Sequence, residues 1–291
     1  MLLRTEQLTK HYGPITALDR LDLELGAGEI VGILGPNGSG KSTALRLLLG
    51  FLRPDAGRAA IAGHDCWADS VQARRHVSYL PGELRLYENM TGSQLIEFLS
   101  RLRKHALTER TQKLARDFDI DIERPLAQMS SGMKRKIALM QVLLPETSLV
   151  ILDEPTNTLD PSMRDLLLGQ LAEAGKRGQA VLFSSHVLSE VEQVCDRVAI
   201  LHQGRLAHWQ DMRALRTVRR VRVRLSRPVE SITAPERVRH LKTDGVEVDF
   251  EHAGALPELL HWLAELPVAD LKIEPMGLAN IYQQYHKMNA T

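Results

Sequence analysis

Aromatic residues are scarce: Phe, Tyr and Trp make up 4% of the chain, so any core must rest on Leu, Val, Ile and Ala. Cysteine is scarcer. Cys66 and Cys195 stand far apart with no CxxC pair, which excludes a zinc ribbon or a thioredoxin-type site and leaves two reduced thiols as the expectation. Neither charge sign prevails: 37 Lys and Arg oppose 36 Asp and Glu, a net charge of +1. That excludes a strongly basic nucleic-acid binder, judged by global charge, and an acidic disordered tail protein. No apolar run reaches the roughly 18 residues that a membrane-spanning helix needs. The start, MLLRTE, is charged within a few residues and carries no secretory apolar region. A role at a membrane therefore needs another chain to do the spanning. Internal repeats and low-complexity segments are also lacking.

At 291 residues, the chain has room for two domains, or for one large domain with an appendage. Its 44% hydrophobic and 25% charged residues are ordinary for a globular protein. Three short apolar runs punctuate the first two-thirds. Ile30-Val31-Gly32-Ile33-Leu34 ends in a glycine-rich turn, Leu149-Val150-Ile151-Leu152 in Asp153-Glu154-Pro155, and Ala180-Val181-Leu182-Phe183 in Ser184-Ser185-His186. Continuous apolar runs of this length suit central strands buried on both faces. Helical patterns lie between them. One starts at Asp160-Pro161, a good cap and first position, carries the stripe Leu166, Leu167, Gln170, Leu171 and Ala174, and is expected to stop at Gly175. This alternation predicts an α/β fold with a parallel central sheet.

From Gly92 to about Phe118 the pattern is helical throughout, with Leu95, Ile96, Leu99 and Leu102, then Leu107, Leu114 and Phe118. It reads as a helical insertion, taken as about 92–145. After about Asp211 the style changes. Val221, Val223 and Leu225 alternate with Arg222 and Arg224, next to Arg219 and Arg220, which gives a strand with one apolar and one basic face. The arginines are either a site for an acidic partner or the wet face of an antiparallel sheet in a small appended domain. Residues 256–266 and 278–285 are helix candidates. The expected division is 1–215 and 216–291.

Gly35-Pro36-Asn37-Gly38-Ser39-Gly40-Lys41-Ser42-Thr43 matches GxxxxGK[ST]. It follows an apolar strand and precedes a helical pattern, the context in which this loop binds phosphates. Glycines let main-chain N–H groups turn inward around an anion, and the following helix adds its positive end. Lys41 supplies a point charge to the β- and γ-phosphates, and the Ser42 hydroxyl is a candidate Mg²⁺ ligand. Asp153, at the end of a buried strand, is a second Mg²⁺ candidate. Glu154 points elsewhere, because side chains alternate along a strand, and is a candidate to orient or deprotonate an attacking water. His186 ends another strand of the same sheet, where open α/β folds bind ligands, and is a candidate hydrogen-bond partner for the γ-phosphate or that water. The other ten of the 11 histidines show no metal-ligand spacing.

Met129-Ser130-Ser131-Gly132-Met133-Lys134-Arg135-Lys136, at a helix start ahead of Asp153, resembles the LSGGQ signature of the nucleotide-binding subunit of ATP-binding cassette (ABC) transporters. The resemblance covers about residues 1–215, with the motifs in the family's order. It implies a P-loop ATPase fold with a parallel central sheet, an antiparallel β subdomain and the helical insertion, followed by a small α+β C-terminal domain. It implies ATP and Mg²⁺ as ligands, with Tyr12 stacking on adenine. It further implies a homodimer packed head to tail around two ATP molecules, with Ser130 and Gly132 of one copy contacting the γ-phosphate held by the other. The loop Asn157-Thr158-Leu159-Asp160 would cross the dimer interface, so Asp160 joins the nucleotide-site candidates. The Ser130 hydroxyl can cap the following helix and aim its positive end at the anion.

The resemblance also implies a separate integral membrane permease as partner, a peripheral place on the cytoplasmic face of the membrane, and transport of the exporter (ABC-2) type. The end of the chain, 278–285, is similar to a closing helix of that branch. No nucleic-acid partner is expected. The alternative, a soluble ABC-type ATPase acting on nucleic acid or the ribosome, usually has two cassettes or a long coiled coil, and this chain has neither. Two positions depart from the family pattern. Ser131 replaces the first signature glycine, which a helix N-terminus tolerates. Gly82, after Val77-Ser78-Tyr79-Leu80-Pro81, stands where a glutamine usually reaches Mg²⁺; the neighbouring Glu83 or a water could substitute.

Overall fold

The computed structural model describes residues 1–102, 109–229 and 232–287. The three apolar runs form adjacent central strands because nothing polar interrupts their burial. Ile30–Leu34, Leu149–Asp153 and Ala180–Ser185 are buried along their full length. They belong to a six-stranded sheet ordered Arg205–Asp211, Arg197–His202, Ile30–Leu34, Ala180–Ser185, Leu149–Asp153 and Val77–Leu80. The pairings from Arg197–His202 through Val77–Leu80 are all parallel. An antiparallel sheet formed by Ile15–Leu21, Leu3–Tyr12, Ala56–Ile61 and His64–Asp65 accompanies it. Leu3, Leu21 and Ile61 from this sheet join Ile33, Ile151 and Leu182 in one core. The α/β expectation with a parallel central sheet and an antiparallel β subdomain is borne out.

The insertion is helical, with Gly92–Leu102, Glu109–Asp117 and Ser131–Leu143 as its α-helices. Its buried stripe is shorter than expected. Leu95 and Ile96 are buried, but Leu102 is exposed because it lies at the helix end, past the packed turn. Leu107 lies outside the described residues. The helix begun by Asp160-Pro161 runs through Gly175 to Lys176. The reversal comes instead at Gly178, with φ +89°. Gly175 serves close packing: a Cβ there would lie 3.1 Å from Ile30 Cδ1.

Two compact units divide the chain between Trp209 and Gln210, six residues ahead of the sequence-based boundary at 215/216 because the helix Met212–Thr217 belongs to the second unit. In that unit, four antiparallel strands run in the order Val238–Asp244, Glu247–His252, Arg219–Leu225, Val268–Pro275. Val221, Val223, Val248 and Phe250 pack with Leu259 and Leu263 of the helix Leu256–Ala264. The strand register decides the role of the arginines. Arg222 stands opposite Asp249, and Arg224 opposite Glu247 and Asp270. Arg220 makes a forked pair with Asp249. The basic face is thus compensated by carboxylates of its own sheet, the second of the two sequence readings. Cys66 and Cys195 are buried free thiols, and burial pushes Cys66 up to about 12. No helix among the described residues is long and apolar enough to cross a membrane.

The central sheet carries the stability of the first unit. Leu182→Ala, at a fully buried position, is expected to cost about 3 kcal/mol in urea unfolding; a loss well below 1 kcal/mol would contradict the packing described.

Candidate functional site

The glycine-rich turn leads from Ile30–Leu34 into the helix Lys41–Leu48. Gly38 and Gly40 take φ +79° and +103°, values that a residue with a Cβ rarely adopts. Gly35 is required for a different reason, because a Cβ there would sit 2.5 Å from the Leu201 carbonyl oxygen. The loop walls a cleft of about 500 Å³, lined by Gly38, Gly40, Lys41, Ser42 and Thr43 together with Glu154. Lys41 is buried, and its ammonium donates to the carbonyls of Gly35, at 2.8 Å, and Pro36, at 3.1 Å.

Three strand ends converge here. Glu154 follows Leu149–Asp153, and its Oε1 lies 3.7 Å from Lys41 Nζ. Its Oε2 lies 3.3 Å from His186 Nδ1 and accepts from Asn157 Nδ2 at 2.7 Å. The sheet order explains this meeting, since the strands leading to Lys41, His186 and Glu154 are neighbours. Asp153 is buried, and its Oδ1 accepts from the Ser184 hydroxyl at 2.6 Å. The same Ser184 oxygen accepts the Glu154 N–H at 2.9 Å. Glu154 itself holds φ +45°, a strained left-handed backbone that persists only when its surroundings over-determine it.

Two residues outside the motif readings build this surround. Arg135 is buried and spends its donors on main-chain carbonyls: Nη1 to Pro81 and Gly82, Nη2 to Asp153 and Glu154, Nε to Pro155. Burial pushes its guanidinium below the usual arginine range, and the Asp153 and Glu154 charges oppose that shift. Its sequence signal is its spacing, since it falls four residues before the buried Leu139 and seven before the buried Val142. Glu190 is buried in Leu188–Val194, where Oε2 accepts from Thr156 Oγ1 and Ser185 Oγ, each at 2.9 Å. It ties the loop after Glu154 to the residue before His186.

Four further candidates, Tyr12, Ser130, Gly132 and Asp160, sit on elements around the cleft rather than in the phosphate loop. Tyr12 is exposed at the turn of the first hairpin, paired with Ile15, with Lys10 Nζ 5.9 Å above its ring. Ser130 caps Ser131–Leu143 by accepting the Met133 N–H at 3.3 Å. Ser131 is an ordinary first helical residue without positive φ. A Cβ on Gly132 would lie 3.3 Å from the Thr158 carbonyl, so the signature helix abuts the 157–160 loop. Asp160 caps the next helix through the Met163 N–H at 2.9 Å. Bonds from the Ser162 hydroxyl and from that N–H hold its carboxyl below the usual range. Gly82 is next to Asp153, since a Cβ there would be 3.5 Å from Oδ2. Glu83 is exposed. Burial, with the Asp153 charge second, pushes the Tyr79 phenol up to about 12.

The cleft suits a polyphosphate. Positive-φ glycines, a helix N-terminus and a buried ammonium line one side, and a carboxylate closes it. Ser42 and Asp153 offer hard oxygen donors. No group of three or more His, Cys, Asp or Glu among the described residues could cage a metal. A hydroxyl and one carboxylate are the donors that Mg²⁺ takes when phosphates and water complete its shell.

Residues 18–157 match the family described as ABC transporter. The probable multidrug ABC transporter ATP-binding protein YbhF of Escherichia coli (strain K12) is 32% identical over 210 residues, 70% of this chain, and the chain spans 36% of that relative's length. The uncharacterized ABC transporter ATP-binding protein YhcH of Bacillus subtilis (strain 168) is 32% identical over 270 residues, covering 89% of this chain and 88% of the relative. The solved structure of an ATP-binding subunit of an ABC transporter superposes with a TM-score of 0.68 at 30% identity, over 74% of this chain and 92% of that one.

Ser184→Ala removes the acceptor of the strained Glu154 N–H and the donor to Asp153. The expected loss is about 2 kcal/mol in denaturant unfolding; an unchanged midpoint would show that the hydroxyl is dispensable.

Proposed function

The chain belongs to the ABC transporter ATP-binding proteins, and on that premise we propose that it binds and hydrolyses ATP to power a separate membrane permease. The observation that carries this reading is the meeting of Glu154 with Lys41 and His186, at 3.7 and 3.3 Å, over the phosphate-binding loop. The loop's inward N–H groups and Lys41 hold the β- and γ-phosphates. Ser42 and Asp153 would hold Mg²⁺, which when bound neutralises phosphate charge. Glu154 accepts a proton from the attacking water as its oxygen bonds to the γ-phosphorus. The bond from that phosphorus to the β-bridging oxygen breaks, leaving ADP and inorganic phosphate. His186 hydrogen-bonds the γ-phosphate and orients Glu154. Lys41, which now donates to the Gly35 and Pro36 carbonyls, turns to the phosphates when nucleotide enters.

The working unit is a head-to-tail homodimer. Ser130 and Gly132, at the start of the helix Ser131–Leu143 and against the 157–160 loop, act on a partner copy's nucleotide, as the family resemblance implies. A site of this kind is incomplete in one chain, so ATP binding closes the dimer and hydrolysis reopens it. Tyr12 stacks on adenine, and Asp160 lies in the loop at the interface.

The permease docks on the helical insertion. A pocket of about 230 Å³ there is lined by Pro81, Leu86, Ile96, Leu99, Gln141 and Val142, among others. Tyr87 and Phe98 are exposed and meet edge to face at 6.3 Å. Such apolar exposure suits a protein partner. The chain then sits at the cytoplasmic face of the membrane and drives export, the direction that the resemblance to the exporter (ABC-2) branch implies.

Two variants test this reading. Glu154→Gln is expected to keep ATP binding, to lower turnover at least about 100-fold and to accumulate an ATP-bound dimer on size exclusion. Wild-type turnover would remove Glu154 from the chemistry. Ser130→Arg is expected to spare ATP binding by the isolated chain and abolish cooperative hydrolysis. Undiminished activity would show that the signature is not part of the site.

A further inference from the structure

Arg135 joins three stretches of chain. It belongs to the helix Ser131–Leu143, which carries the signature at its start. Nη1 donates to the carbonyls of Pro81, at 3.1 Å, and Gly82, at 2.9 Å, on the segment that leads to the apolar pocket. Nη2 donates to the carbonyls of Asp153, at 3.3 Å, and Glu154, and Nε to that of Pro155, at 3.2 Å. These five contacts match the five N–H groups of a guanidinium, whose fork is planar and rigid. All five acceptors are main-chain oxygens, so the arrangement does not depend on side chains at 81 or 82.

Position 82 explains why this matters. Gly82 has no side chain to reach across, although a Cβ there would stand only 3.5 Å from Asp153 Oδ2. Besides the pairing of Leu80 with Leu152, the side-chain connection from the 81–82 segment to the strand end runs through the Arg135 fork. Its far end is the carbonyl of Glu154, a residue already held at φ +45°. The fork is thus the physical link by which a displacement of Pro81 or Gly82 would turn the Glu154 carbonyl.

We propose that Arg135 is a positioning residue that couples the 81–82 segment and the signature helix to the Glu154 carboxylate, replacing through the main chain the connection that a side chain at position 82 would make. The proposal rests on the nucleotide reading above. A lysine keeps the charge but has three donors and no fork, so it cannot hold five carbonyls on two segments.

Hydrogen exchange of the wild-type chain with and without ATP and Mg²⁺, combined with steady-state kinetics of Arg135→Lys, tests it. In the wild type, the amides of 82–84 and of Asp153, Glu154 and Thr156 are expected to gain protection together with those of the loop 37–43. Arg135→Lys is expected to lower kcat about 100-fold with KM for ATP within about twofold of wild type. It should retain protection at 37–43 and lose it at 82–84. Wild-type kcat in Arg135→Lys overturns the proposal. So does independent exchange of 82–84 and of Asp153, Glu154 and Thr156 in the wild-type chain, a readout that does not depend on the variant folding. Absence of any protection at 37–43 in the wild type would refute the nucleotide reading itself.

Discussion

The peptide of Glu154 is the constraint on which the site depends. It holds a left-handed backbone at a residue with a full side chain, which costs free energy that local sequence does not return. It persists because both polar groups are held. Ser184 takes its N–H, and the Arg135 guanidinium takes its carbonyl. The turn sends the Glu154 side chain toward Lys41 while Asp153 stays buried beside Ser184. Two adjacent carboxylates thereby receive separate surroundings, Asp153 beside the buried Ser184 hydroxyl and Glu154 between Lys41 and His186. The buried parallel strands beneath supply the rigidity that keeps such a turn from relaxing.

Much of this was legible in the sequence because it rests on local rules. A loop of fixed spacing after an apolar run needs no tertiary information, and neither does a carboxylate at a strand end or a serine before a helix. Arg135 was not legible in that way. In the run Lys134-Arg135-Lys136 it reads as one of three solvated cations, and only its spacing to Leu139 and Val142 marks it as facing inward. Glu190 was hidden by the short helix that carries it, where periodicity has little length to act on. Gly175 misled as a helix stop because the glycine was required by the approach of Ile30, a long-range contact.

The second unit shows the same division. Alternation from Val221 to Leu225 is a local signal, and the strand formed as the pattern required. What its arginines do was open until the register set Asp249, Glu247 and Asp270 opposite them. Exposed pairs of this kind contribute little stability, but they leave the face without excess positive charge. The unit's fold rests instead on Phe250 and the valines packed with Leu259 and Leu263.

We infer that a working site is assembled from two copies, the phosphate loop of one and the signature of the other. Mixing two inactive chains, Lys41→Ala and Ser130→Arg, tests it most directly. In a head-to-tail mixed dimer one site has both defects and the other has none, so ATP hydrolysis should reappear on mixing and depend on the ratio of the two chains. A mixture as inactive as either variant alone would contradict the account and place the whole reaction within a single chain.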